Sequence, residues 1–415
     1  MAALLLTPTA TQAAARTGDI IQVDVAAGGA PGDGYVGEPD ISNDGRYAAF
    51  TSSSSNLVPG DTNGTYDVFV RDLRTGRTTL ASGGIDGRPA DGYAADTVIS
   101  GNGRYVAFTS YASNLVADDT NGERDVFVRD LRTGVTTRAS VATGNVQLDG
   151  FQYGPSISDD GRYVTFIVSD YLHGLGQEAF LHDRSTGVTT QVTAPTGGAE
   201  PAVLEAALSG DGKRMAFSGT GDYTGDGGSV SAVYLSDLTT GTTTRISPQS
   251  IGADPVDARS PSIDRTGTKV LYAGNAALDP SDTNAGSDLY LRDLTAGTTA
   301  LVSANHAGSG AGNGETYEGA LSADGRYAGF FSLASDLVVP DTNGEVNDVF
   351  LRDLRRDRTT LVTRSASGDS GNGLSWGGVP SGDGSHVLFT STATNLGVDP
   401  GDGRAHLFVR CPRRC

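Results

Sequence analysis

The sequence predicts an all-β fold built from seven copies of a four-stranded antiparallel unit. Gly is abundant, at 58 of 415 residues. Thr, Val, Ile, Leu and Tyr fall in short alternating runs, the period of strands rather than helices. A Gly in a polar turn recurs at Gly45, Gly103, Gly161, Gly212, Gly267, Gly325 and Gly384, at spacings of 58, 58, 51, 55, 58 and 59 residues. Around each lies an apolar segment, a turn, a strand, a long polar loop, another strand, a tight turn and a last strand. Four short strands per repeat of this length match a blade of a seven-bladed β-propeller.

The first repeat serves as the template. Strand a is expected near Asp40–Ser42, followed by the turn Asn43-Asp44-Gly45. Strand b is Tyr47–Ser52, and a loop runs to about Tyr66. Strand c is Asp67–Asp72, and strand d is Thr78–Ala81 after Arg74-Thr75-Gly76. Asp-Gly and Asn-Gly supply the positive φ that tight hairpins require. Asp72 opens the c–d turn, and its carboxylate is placed to accept backbone N–H groups two residues on. The same Asp returns at Asp130, Asp183, Asp237, Asp293 and Asp353.

The last repeat has a strand a near Gly378–Ser381, a strand b at His386–Ser391 and a strand c at Ala405–Arg410, but no strand d. The start of the chain supplies one. Arg16-Thr17-Gly18 copies the c–d turn and Ile20–Val25 copies strand d. The ring is therefore expected to close by the N-terminal strand joining the last blade, which removes two sheet edges. Residues 16–415 then form one domain.

Residues 1–15 differ from the rest: an apolar Ala2–Leu6 and small residues at Ala13–Ala15 resemble the tail of a secretory signal. The expected location is therefore secreted or in the cell envelope. No stretch is long enough to span a bilayer. Export would let Cys411 and Cys415 pair, whereas a reducing compartment would leave two free thiols. The net charge of −19 repels phosphate backbones and anionic membranes, so nucleic acid is not expected as a partner. The chain is expected to be a monomer.

The segment Pro155-Ser156-Ile157-Ser158-Asp159-Asp160-Gly161-Arg162-Tyr163, with strands like Asp125–Gly134, resembles the WD40-like β-propeller repeat of the TolB type. The resemblance covers nearly all of residues 16–415. TolB is a periplasmic, protein-binding component of an envelope complex, so the resemblance implies an extracytoplasmic protein with a protein partner. The propeller domains of prolyl-oligopeptidase-like enzymes look similar as well.

The a–b and c–d turns are short and share one face. The b–c and d–a loops are long and share the other, where binding residues are expected. Two features mark that face. One is a recurring loop: Asp61, Asn63 and Asp67; Asp119, Asn121 and Asp125; Asp282, Asn284 and Asp288; Asp341, Asn343 and Asp348, the last one residue longer. Oxygens at these positions would suit calcium, and the pattern looks like a shortened version of the calcium loops of integrin-type propellers. Equally, Asn-Gly makes the turn and Asp caps strand c. The other feature is aromatic: Tyr35, Tyr93, Phe151, Tyr153, Tyr317 and Trp376 precede the innermost strand. Such rings would stack on sugars or anchor a peptide side chain at the channel mouth, or pack loop against loop.

Catalytic signatures are weak. Gly373-Leu374-Ser375-Trp376-Gly377 fits a nucleophile elbow but lies in an all-β repeat, without the strand–turn–helix such a nucleophile needs. The five histidines lack zinc-ligand spacing. The expected function is a non-enzymatic propeller binding a protein, peptide or glycan on its long-loop face, with calcium as a candidate stabiliser. The alternative is a carbohydrate hydrolase or lyase with paired carboxylates at the channel mouth.

Overall fold

A computed structural model describes residues 19–170, 175–227, 230–251, 254–284, 286–397 and 400–412. The expected signal segment, the turn Arg16–Gly18 and Cys415 lie outside them. The described residues contain strands and turns and no helix. The first repeat is the meander Val36–Ile41, Tyr47–Ser52, Asp67–Asp72 and Arg77–Leu80. Strands b and c have the bounds read from the sequence, and strand d shifts by one residue. Strand a is longer than read, because its first residues alternate less clearly.

The second, fifth and sixth repeats form equivalent four-stranded antiparallel sheets. The third and fourth differ from the expectation of separate sheets. They join into one eight-stranded sheet through a single parallel pairing, Gln177 with Ala202. Their strands are longer: strand c of the third repeat is Leu175–Asp183 and strand a of the fourth is Gly197–Leu208. Two small hairpins, Val141–Ala142 with Val146–Gln147 and Ser250–Ile251 with Asp254–Pro255, sit in d–a loops where the sequence showed no strand pattern.

In the last repeat, Ser375–Pro380, Val387–Ser391 and His406–Arg410 gain a fourth strand from the start of the chain. Ile20 pairs with Arg410, Ile21 with Val409 and Gln22 with Phe408. The strand spans Ile20–Gln22 rather than the whole of 20–25. Val23 N still donates to Leu407 O at 2.7 Å, and Val25 then turns back to bridge Pro31.

Burial explains why alternation is sharpest in strands b and c. Tyr47–Ser52 and Asp67–Asp72 are buried almost throughout, because each sheet is covered on both faces. At the middle of every sheet, directly opposed aromatic residues meet. Phe50 and Phe69 have ring centroids 5.9 Å apart, Phe108 and Phe127 5.9 Å, Phe217 and Tyr234 5.1 Å, and Phe389 and Phe408 5.7 Å. Such pairs add to the area they bury, so they anchor strand register. Core clusters run from sheet to sheet. One joins Ala49, Val68 and Val70 to Val106, Phe108 and Phe127, and another joins Leu388, Leu407 and Val409 to Phe50 and Phe69.

The a–b turns link neighbouring repeats. All seven turn glycines have positive φ, from 64° at Gly325 to 74° at Gly161. Each is also packed against the previous repeat: Gly161 against Tyr105, Gly212 against Tyr163, and Gly45 against His386 of the last repeat. Backbone bonds run between the same turns. Asn43 N donates to Gly101 O, Asn102 N to Asp159 O, Asp159 N to Gly210 O, Asp211 N to Arg265 O, Arg265 N to Ala323 O, Asp324 N to Gly382 O, and Gly382 N to Asn43 O.

Candidate functional site

The innermost strand of every repeat carries a β-bulge, with register shifts between Gly37 and Asp40, Ala95 and Val98, Tyr153 and Ser156, Val203 and Glu205, Arg259 and Ser262, Thr316 and Gly319, and Gly377 and Val379. A bulge re-aims a side chain that strict alternation would bury between sheets. The re-aimed positions, three before the end of each inner strand, are Glu38, Asp96, Gly154, Glu205, Ser260, Glu318 and Gly377. Glu38, Asp96 and Ser260 hold φ of 48°, 50° and 52°, a left-handed conformation that non-glycine residues rarely adopt.

The bulged carboxylates have a structural task. Glu38 Oε2 accepts from Asp96 N at 2.5 Å, Asp96 Oδ2 from Gly154 N at 3.2 Å, and Glu205 Oε2 from Ser260 N at 2.7 Å. Each satisfies a donor on the unpaired edge of the next inner strand. They also form an acidic wall. Burial, with Asp96 adding, pushes Glu38 above its ordinary value. Burial, with Glu205 adding, does the same to Glu318. Glu205, Ser260, Glu318, Gly377 and Gly378 line a cavity of about 270 Å³.

Aromatic residues gather on one arc of this wall. Tyr93 packs edge-on against Tyr66 at 5.4 Å. Phe151 lies 5.7 Å from Tyr153 and 6.3 Å from Tyr111. Arg124 sits over Phe151 at 5.1 Å and pairs with Asp96 at 2.9 Å. Tyr93 and Tyr111 remain 38% and 45% exposed, so the cluster presents ring area to solvent. Of the six aromatic residues singled out from the sequence, the fold brings Phe151 against Tyr153, and sets Tyr93 against Tyr66. Tyr35 and Tyr317 are exposed, and Trp376 is half-buried on its strand opposite Thr390; none makes a ring–ring contact among the described residues. Sequence reasoning missed Tyr66, Tyr111, Arg124 and the carboxylates Glu38, Glu205 and Glu318. The bulge position, found by aligning the repeats on the apolar run, was the available signal.

The recurring Asp-x-Asn loops tie the b–c loop to the following d–a loop. The Asn amide donates to a main-chain oxygen there: Asn63 to Ala90 O, Asn121 to Leu148 O, Asn284 to Gly312 O and Asn343 to Gly371 O, at 3.0, 3.1, 2.8 and 2.7 Å. The final Asp accepts from a hydroxyl beyond strand d: Asp67 from Ser82, Asp125 from Ser140, Asp288 from Ser303 and Asp348 from Thr363. Asp61, Asp119, Asp282 and Asp341 lie beside them, and each raises its partner's pKa. Among the described residues no three His, Cys, Asp or Glu side chains converge as a metal cluster.

In the last repeat these roles are exchanged. His406 opens strand c, and Asp24, from the start of the chain, takes the hydroxyl's place. His406 Nδ1 lies 2.7 Å from Asp24 Oδ2, and Leu407 N donates to Asp24 Oδ1 at 3.1 Å. Asp402 lies 3.1 Å from His406 Nε2. Burial lowers the imidazole pKa, but the bonds to Asp24 and Asp402 outweigh it and hold His406 above its ordinary value. Asp399 lies outside the described residues. The apparent nucleophile Ser375 is buried on strand a against Ser391 Oγ at 2.8 Å, not on an elbow. Cys411 is buried and disulfide-bonded.

With this geometry in view, the chain has the fold of β-propeller proteins. It is similar to the β-propeller domain of the Trilobed protease from Pyrococcus furiosus, at TM-score 0.55 and 12% identity over 91% of this chain and 92% of that one. It is similar to oligogalacturonate lyase from Vibrio parahaemolyticus, at TM-score 0.53 and 11% identity over 95% and 98%. A TolB from Agrobacterium tumefaciens aligns at TM-score 0.42 and 16% identity over 65% and 80%. Against peptidases with this fold the chain spans about half their length. No family model matches the chain, and no curated protein matches it in sequence. No helix among the described residues is long and apolar enough to cross a membrane.

Proposed function

We propose that the chain is an exported seven-bladed propeller, closed by its N-terminal strand, that binds a protein, peptide or glycan at the mouth framed by its long loops. The exposed rings of Tyr93 and Tyr111 and the half-buried ring of Phe151, with Arg124 over it and paired to Asp96, carry the reading. Aromatic area held by a rigid scaffold and rimmed by charge is what recognition sites use. The seven turn-to-turn hydrogen bonds, which end where they begin, support the blade count and the closure. The disulfide at Cys411 supports an oxidising compartment.

A screen of displayed peptides and arrayed glycans with the full chain tests this. A ligand found that way should bind at least about tenfold more weakly to Tyr93→Ala and Phe151→Ala. Equal affinity in both variants would remove the mouth from the reading. One observation favours a second reading, a carbohydrate-cleaving enzyme: Glu205 and Glu318 share one cavity. Polysaccharide cleavage by the wild type that Glu318→Gln abolishes would establish it in place of the first.

A further inference from the structure

The four Asp-x-Asn loops share a pattern, but their buried oxygens end differently: Asp288 Oδ2 of the fifth and Asp348 Oδ2 of the sixth are unpartnered, and the sixth alone of the four also leaves two Asn oxygens unpartnered among the described residues. In the first repeat the Asn63 amide reaches Asp67 Oδ2 at 2.6 Å and fills it. The second repeat carries its own cation. Arg138, the last residue of strand d, lies 3.3 Å from Asp119 and 3.6 Å from Asp125, and Gln147 donates to both carboxylates. Register places Arg138 opposite Phe127 and Leu361 opposite Phe350, so the sixth repeat has a leucine where the second has a guanidinium.

The sixth loop leaves three buried acceptor oxygens unpartnered. Asp348 is fully buried, and its Oδ2 has no hydrogen-bond partner. Asn343 Oδ1 and Asn347 Oδ1 are buried and unpartnered as well. The Asn343 amide donates to Gly371 O at 2.7 Å and also lies near enough to Asp348 to steady its charge. Asp341 completes the group: its Oδ1 accepts from Ser370 Oγ at 3.0 Å, and its charge acts on Asp348. Buried acceptor oxygens without donors are costly, and buried carboxylates need a compensating charge.

We propose that the loop Asp341–Asp348 of the sixth repeat is a calcium site, with Asp341, Asn343, Asn347 and Asp348 supplying its oxygens. All four donors are hard oxygens, and the loop holds no His or Cys, which selects calcium over transition metals. Two carboxylates make a weakly charged site, so the affinity falls in the range of extracellular modules, about 10⁻⁴–10⁻³ M. Arg138 does in the second repeat what the ion does in the sixth.

Calorimetric titration of the full chain with calcium chloride, with magnesium chloride as the control, tests the site. One more calcium should bind to the wild type than to Asp341→Asn, and magnesium should give no matching heat. Leu361→Arg, which copies Arg138, should remove the same equivalent while its far-ultraviolet circular dichroism stays that of the wild type. If Leu361→Arg fails to fold, Asn343→Ala replaces it with the same expectation. No calcium heat in the wild type up to about 10 mM, ten times the weak end of that range, overturns the proposal. So does a stoichiometry unchanged in Asp341→Asn.

Discussion

Single carboxylates in this protein do opposite work depending on their surroundings. Asp72, Asp130, Asp183 and Asp353 each open a c–d turn, accept backbone N–H groups and take the arginine just before strand b: Arg46, Arg104, Arg162 and Arg326, at 2.7, 2.6, 2.7 and 2.9 Å. The Arg104 guanidinium holds Asp130 well below the usual carboxylate range. Asp40 is the reverse: burial pushes it up to about 6 while it accepts from Ile99 N in the next repeat. A carboxylate whose pKa is lowered by folding stabilises above its unfolded value and loses that contribution as pH falls through the folded one. The clamps should therefore weaken below about pH 4. Melts between pH 5 and 3 should show a steeper loss in the wild type than in Arg104→Ala. Because the pair is partly exposed to solvent, that variant should cost little stability at pH 7.

At the scale of the element, the a–b turn is the most constrained piece of each repeat. Gly161 combines φ of 74° with the Tyr105 ring packed against its Cα. A methyl group there meets both a left-handed backbone and an aromatic ring. Gly161→Ala should lose about 1–3 kcal/mol in urea denaturation. Gly122, with φ of 68° but open space around it, should lose less on the same substitution. Equal losses would show that the contact with the preceding repeat adds nothing to the strain.

For the whole molecule, the seam is the place where the first strand of the chain pairs with the last. Elsewhere a carboxylate and a hydroxyl 15 residues apart close the strand c to strand d contact, as in Asp67 and Ser82. At the seam the partners are His406 and Asp24, 382 residues apart, with Asp402 and Arg71 also acting on the pair. His406 is held above its ordinary value, so its contribution is complete below about pH 6.5 and fades as pH rises through the raised value. The stability difference between wild type and His406→Gln should shrink between pH 6 and 9 in thermal melts. Removing residues 16–26 should lower the melting temperature at every pH; an unchanged value would dismiss the seam as a stabilising element.

The period of the turn glycines and the alternation of strands b and c determined the all-β class, the repeat and the bounds of Tyr47–Ser52 and Asp67–Asp72, because both faces of those strands are buried and pattern follows burial. The fourth strand of the last repeat was legible from its missing counterpart. The innermost strand was not, since its bulge breaks the period of two where side chains turn inward. That is why the aromatic residues were read as one set, although of them only Phe151 and Tyr153 meet ring to ring. The four acidic loops looked alike for a related reason. Whether the final Asp of a loop has a partner is decided by contacts between segments far apart in the chain, which the shared loop pattern does not carry.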